Sequence, residues 1–162
     1  MTPTHQHAFL VARAAIERIS ELCEGPITWE DHGAAAFSIH DLEFHVTASR
    51  ESEAILLTAF ILSLEGVGPE RKTEYMETFL GKNLHLKATA GGVFSYDAGQ
   101  SAVLFELLIP IYHHHEVEEV VEIMARFCEI AERLAKESLQ GILGNNSLDV
   151  EPIGRPQPNL RA

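Results

Sequence analysis

Residues 36–65 read AFSIHDLEFHVTASRESEAILLTAFILSLE. Ala36 to His40 alternates, with Phe37 and Ile39 on one face. Leu42 to Thr47 alternates again, with Leu42, Phe44 and Val46 inward and Glu43, His45 and Thr47 outward. Period-two alternation is the mark of a half-buried strand. The polar break at His40-Asp41 makes these two strands a hairpin, although the turn lacks the glycine that tight hairpins favour. Arg50-Glu51-Ser52-Glu53 is a polar turn. Ala54 to Glu65 is apolar on both faces, which is expected of a central strand covered on both sides.

Outward from this core, residues 7–23 carry Phe9, Ala12, Ile16, Ile19 and Cys23 at helical spacing. Gly25-Pro26 ends that helix. A second apolar set, Leu10, Val11, Ala14 and Ala15, lies off its seam. Ile27-Thr28-Trp29 opens a short extended piece. After Glu65, Gly66-Val67-Gly68-Pro69 breaks the strand, and Pro69 suits a first helical turn. Tyr75, Met76, Phe79 and Leu80 form one compact apolar face on the short helix that follows, ending at Gly81. Gly91-Gly92 precedes a strand over 93–96; Asp97–Gln100 is a turn; a strand over 102–109 stops at Pro110. Residues 116–139 are helical again, with Val120, Met124, Phe127, Cys128, Ala131 and Leu134 inward. The expected order is α-β-β-β-α-β-β-α: class α+β with a twisted, mainly antiparallel sheet. The expected division is one domain over 1–140 and a loose Gly- and Pro-containing tail over 141–162.

Composition narrows function. The chain has 162 residues, and 12 Lys/Arg against 24 Asp/Glu give a formal charge of −12. Such an excess of negative charge disfavours nucleic acid, whose phosphates need clustered Lys and Arg. It equally disfavours an anionic membrane surface. No stretch is long and apolar enough to span a bilayer. The N-terminus lacks a basic segment ahead of a long apolar run, so the expected location is the cytosol. Cys23 and Cys128 fall on helix stripes and read as small buried hydrophobes rather than a disulfide.

Catalytic signatures are weak. Gly66-Val67-Gly68 lacks the third glycine of a dinucleotide loop, where Arg71 stands. Ser101 sits in AGQSAV, not in a nucleophile elbow. His113-His114-His115-Glu116 is the most conspicuous local feature. His115 and Glu119 could share a metal on the last helix, but Glu119 stands where a second histidine belongs in HExxH. Three consecutive side chains do not converge on one ion without an irregular backbone. The expectation is no catalytic site, no metal and no cofactor. Apolar supply, in contrast, is generous: two helices carry more hydrophobic surface than one core contact needs, and a second subunit is a natural cover.

Several phrases together carry a family likeness. An amphipathic leading helix precedes the hairpin over 37–47 and the run Ala54-Ile55-Leu56-Leu57-Thr58-Ala59-Phe60-Ile61-Leu62. The middle helix ends in Phe79-Leu80-Gly81-Lys82-Asn83-Leu84. Gly91-Gly92-Val93-Phe94-Ser95-Tyr96-Asp97 follows, then Val103-Leu104-Phe105-Glu106-Leu107-Leu108-Ile109-Pro110 and a long final helix. Over residues 7–140 the chain resembles the class I type III secretion chaperones, the family that includes the chaperone of the Tir effector. The His triplet and the C-terminal extension depart from that pattern.

The resemblance implies a non-catalytic homodimer that binds an N-terminal segment of one or more secreted effectors in extended form. It implies partners in the effector, in a second copy, and in the export ATPase of the secretion apparatus. It puts Tyr75, Met76, Phe79, Leu80, Val93 and Phe94 at the dimer interface. Leu10, Val11, Ala14, Trp29 and Phe44 are the candidates for effector contact. The competing readings are a His-rich metal-binding protein or metal-dependent enzyme, and a protein of the same fold with a regulatory role outside secretion.

Overall fold

The computed structural model describes residues 3–19, 21, 27–30, 34–48, 54–84, 89–112 and 116–144. Helix α1 spans Pro3–Ile19; strands β1 (Thr28–Glu30), β2 (Ala34–Ile39), β3 (Leu42–Ala48) and β4 (Ala54–Ser63) follow. Helix α2 (Pro69–Gly81) continues into a 3-10 turn, Lys82–Leu84. Strands β5 (Val93–Asp97) and β6 (Ala102–Pro110) lead to helix α3, Val117–Gly144.

Among the described residues the strands form a six-stranded sheet in the order β1-β2-β3-β4-β6-β5. Every neighbouring pair is antiparallel. The expected α+β class therefore holds, with two differences in detail. Thr28–Glu30 is a strand of its own, paired to Ala34–Ala36, so four strands rather than three precede α2. Helix α3 also runs through Gly141 to Gly144. A single glycine inside a helix costs only about 1 kcal/mol relative to Ala, too little to end a helix of this length.

The β2–β3 hairpin is closed by His40 and Asp41, both in the left-handed region at φ 46° and 68°. Positive φ at both central residues is the twist-matched two-residue turn, made here without glycine. Along its other edge β4 pairs with β6 from Ala54 to Ser63, and the register slips between Phe60 and Leu62.

Helices α1 and α3 pack on each other and on one face of the sheet. Ala12, Ala15, Ile16 and Ile19 of α1 meet Val120, Met124, Phe127 and Ala131 of α3 and Ile55, Leu57 and Ala59 of β4 in one core. Aromatic rings thread this core from end to end. Phe37 stacks on Phe44 at 5.5 Å, Phe44 meets Phe127 edge-on at 6.3 Å, and Phe127 stacks on Phe105 at 5.2 Å. Phe105 continues to Phe94 at 5.0 Å and Phe94 to Phe79 at 5.3 Å. Each such pair adds about 0.5–1.5 kcal/mol beyond simple burial. The chain of rings links β2, β3, α3, β6, β5 and α2, and so fixes α2 against the β5 end.

Candidate functional site

The sheet has a second face. On β4 the inward residues Ile55, Leu57, Ala59 and Ile61 are buried, whereas Ala54, Leu56, Thr58, Phe60 and Leu62 are only half-buried. The expected cover on both sides is thus missing within the described chain. Antiparallel sheets tolerate one open face, but usually a polar one. Here the register lays Leu56 beside Leu108 and Phe60 beside Leu104. Leu108 is 63% exposed, and Val93 of β5, across from Glu106 of β6, is 41% exposed. Exposed apolar surface of this kind marks an interaction site. Polar groups border it: His45 Nε2 lies 2.7 Å from Glu43 Oε1, and its ring sits 5.0 Å from that of Phe60.

The residues singled out for effector contact do not stay together. Leu10 of α1 is 55% exposed and Ala14 is half-buried. Val11 lies one residue beyond Leu10 and turns into the core, and Phe44 is stacked between Phe37 and Phe127. Neither Val11 nor Phe44 presents surface to a partner in this chain. Helical period sends consecutive residues about 100° apart, so two adjacent apolar residues part company when one face of the helix packs. Trp29 lies on β1 across from Ala35; its side chain is outside the described residues.

The residues singled out for the dimer interface divide in the same way. Phe79 and Phe94 are interior, against each other and Phe105. Tyr75 and Met76 are half-buried against the core edge. Leu80 and Val93 face outward, and so does Leu84, at 85% exposure.

Two polar devices hold this end. The Asn83 side chain donates from Nδ2 to the Phe94 carbonyl at 2.7 Å, and its Oδ1 accepts the Phe94 N–H at 2.6 Å. A primary amide has the same donor and acceptor as a peptide unit, so Asn83 stands in for a neighbouring strand at the β5 edge. Lys72 Nζ on α2 donates to Ser101 Oγ at 2.8 Å and lies 5.1 Å from the Tyr96 ring centre. The Lys72 hydrogen bond, helped by that of Ser101, pulls the Tyr96 phenol below its usual range. These contacts tie α2 to the β5–β6 turn, where the Asp97 carboxylate accepts N–H bonds from Gly99 and Gln100.

No group of three or more potential metal ligands converges among the described residues. His113–His115 and Cys23 lie outside them. Glu119 reaches back to the Glu116 N–H at 3.2 Å, the reciprocal half of a helix-capping box. No helix among the described residues is long and apolar enough to cross a membrane.

The sequence model of the Tir chaperone protein (CesT) family matches residues 14–135. The chain belongs to that family. Several solved structures share the fold, among them two complexes. One is the crystal structure of the ExsC–ExsE complex, with TM-score 0.59, 17% identity, and coverage of 84% of this chain and 96% of that one. The other is the HopA1–SchA chaperone–effector complex, with TM-score 0.55, 16% identity, and coverage of 80% and 97%. A comparison with curated proteins finds no match. The chaperone family match runs from the second half of α1 into α3 and stops before Leu139.

Sequence reasoning missed three features of this surface: the half-open sheet face, the Asn83 clamp and the exposed Leu84. The first had a signal, since both β4 and β6 are apolar on two faces. That pattern predicts double cover, and periodicity cannot tell a helix layer from another molecule. The Asn83 clamp had no signal, because it depends on a 3-10 turn bringing residue 83 beside residue 94.

Proposed function

We propose that the protein is a type III secretion chaperone that acts in the bacterial cytoplasm. It binds the N-terminal segment of one or more effectors in extended form and keeps them soluble and competent for export. The observation that carries this reading is membership of the Tir chaperone protein family across residues 14–135, which takes in the whole sheet. The half-open apolar sheet face supports it, since an extended client brings side chains to pockets and main-chain groups to a strand edge. One of the similar folds is a chaperone–effector complex. Among the described residues, Asn83 occupies the Phe94 backbone on the β5 edge, and the edge at β1 and the far end of β2 offers strand addition in this proposal. Leu10 and Ala14, with Trp29 on that edge strand, are the client contacts in this proposal. Val11 and Phe44 support them from the core.

The active form is a homodimer through the α2–β5 end. Leu80, Leu84 and Val93 make the contact, with Tyr75 and Met76 at its margin; Phe79 and Phe94 shape it from within. The export ATPase is the partner to which the loaded chaperone delivers. Nothing in this role needs a catalytic group, a cofactor or a metal. The acidic surface keeps the chaperone soluble and speeds capture of a basic client.

The deciding experiment is gentle co-purification from the native bacterium, with and without chelator, followed by mass spectrometry. The expected outcome is a larger secreted protein in near-stoichiometric amount, unaffected by chelator and lost when its N-terminal segment is deleted. Bound metal without a protein partner would overturn the proposal in favour of a metal protein.

A further inference from the structure

The half-open face of the sheet carries a charge that the described chain leaves uncompensated. Three rows of side chains cross this face from β4 to β6. Leu56 lies beside Leu108, Thr58 beside Glu106, and Phe60 beside Leu104. A polar row thus runs between two apolar ones, and strand geometry sets neighbouring rows about 7 Å apart, twice the rise per residue. Glu106 is half-buried, with Leu104 and Leu108 before and after it on this face and Val93 across from it on β5. Its carboxylate accepts a hydrogen bond from Ser95 Oγ at 2.5 Å. No cation meets it among the described residues. Glu43, across from Phe60 on β3, differs, because His45 Nε2 lies 2.7 Å from it. Any molecule that covers the apolar rows also takes Glu106 out of water. Burying an ionised carboxylate without a cation is strongly unfavourable. A stable cover therefore brings a positive group to the middle row.

The register points to an extended client segment of the pattern apolar-x-Lys/Arg-x-apolar, laid along β4 and β6 with its basic residue on Glu106. In an extended chain alternate side chains face one way at about 7 Å intervals, the spacing of the three rows. Extended chains also stack face to face with their axes within about 30° of each other. One apolar side chain then falls over Leu56 and Leu108, the Lys or Arg over Glu106, and a second apolar side chain over Phe60 and Leu104. A helix brings its face round every 5.4 Å or so, and across three rows it falls about 3 Å out of step. A second copy of this chain is a poor cover, since a two-fold contact of this face with itself sets acidic surface against acidic surface. The formal charge of −12 likewise favours a basic partner. This assignment rests on the chaperone reading above and adds to it the chemistry of one client contact.

The test uses the complex purified from the native bacterium, with the photo-crosslinking residue p-benzoylphenylalanine in place of Leu108. Leu108 is an exposed side chain on this face, so the exchange leaves the core intact. Irradiation and mass spectrometry should join this position to a stretch of the co-purified client in which Lys or Arg stands two residues from an apolar residue on each side. Glu106→Lys, in a chain with wild-type circular dichroism and urea midpoint, should weaken client binding at least about tenfold. Replacing that client Lys or Arg by Glu should restore it. Glu129→Lys, the same charge change on the exposed face of α3, should alter binding less than about twofold. A client held with full affinity by Glu106→Lys overturns the assignment and leaves the chaperone reading standing. So does a crosslink to a client stretch without a basic residue, or to a second copy of this chain. A preparation in which no secreted protein accompanies the chain defeats the chaperone reading itself, and this assignment with it.

Discussion

Gly92 owes its identity to Phe105. A Cβ at that position would stand 2.4 Å from the tip of the Phe105 ring, and Phe105 is fully buried between Phe94 and Phe127. The ring has nowhere to retreat. Gly92→Ala should therefore cost about 1–3 kcal/mol by overpacking, read as a lower urea midpoint at unchanged slope. A midpoint equal to wild type would mean that the β5 entry moves easily. Tyr96 offers a second residue-scale test. Its phenol is held below the usual range chiefly by the Lys72 hydrogen bond. Ultraviolet titration should show an early tyrosine step from Tyr96, and Lys72→Met should move it back toward the usual range. Because tyrosinate forms earlier in the folded chain than in the unfolded one, this group favours folding increasingly as pH rises through its folded value. That contribution is absent at lower pH. Gly91-Gly92 was legible in the sequence as a strand entry, but the reason for Gly92 was not, since residues 92 and 105 meet only across the β5–β6 ladder.

At the scale of elements, edges decide what the sheet can bind. Asn83 closes the β5 edge at Phe94 with two hydrogen bonds. Asn83→Ala leaves that backbone N–H and C=O without a strand or a substitute. The expected loss is about 1–3 kcal/mol, with self-association appearing in light scattering as the edge opens. A variant as stable and as monodisperse as wild type would show that the clamp is dispensable. The hairpin turn is a converse case, because His40 and Asp41 hold positive φ without glycine. Asp41→Gly should raise stability by a few tenths of a kcal/mol up to about 1 kcal/mol in thermal unfolding. The hairpin, α2, the β5–β6 pair and α3 were all legible from alternation, helical spacing and Gly/Pro punctuation. β1 was legible only as an opening at Ile27-Thr28-Trp29 and stayed out of the expected element order, because three residues are too few to show a period.

For the whole molecule, Phe79 and Leu80 are adjacent in sequence and opposite in role. Phe79 is the last ring of the core chain, and Leu80 faces out. Phe79→Asp should prevent folding, since it buries an unpaired charge among aromatic rings. Leu80→Asp should leave the circular dichroism spectrum and urea midpoint near wild type. If the proposed dimer forms through this face, it should also shift the mass in light scattering from twice 17.9 kDa toward 17.9 kDa. A folded, fully dimeric Leu80→Asp chain would remove that helix face from the interface. Period and punctuation, which act locally, determined the class, the order of the long elements and the surplus of apolar surface. The same local signals carried the resemblance to a chaperone family. Only the tertiary structure decided which apolar residues are core and which are surface. Val11 went inward, Leu10, Leu84 and Leu108 outward, and one face of β4 was left half-open. The physical reason is that burial is a property of pairs of elements. Hydrophobic periodicity says that a face must be covered, but the layer that covers it comes from residues distant along the chain.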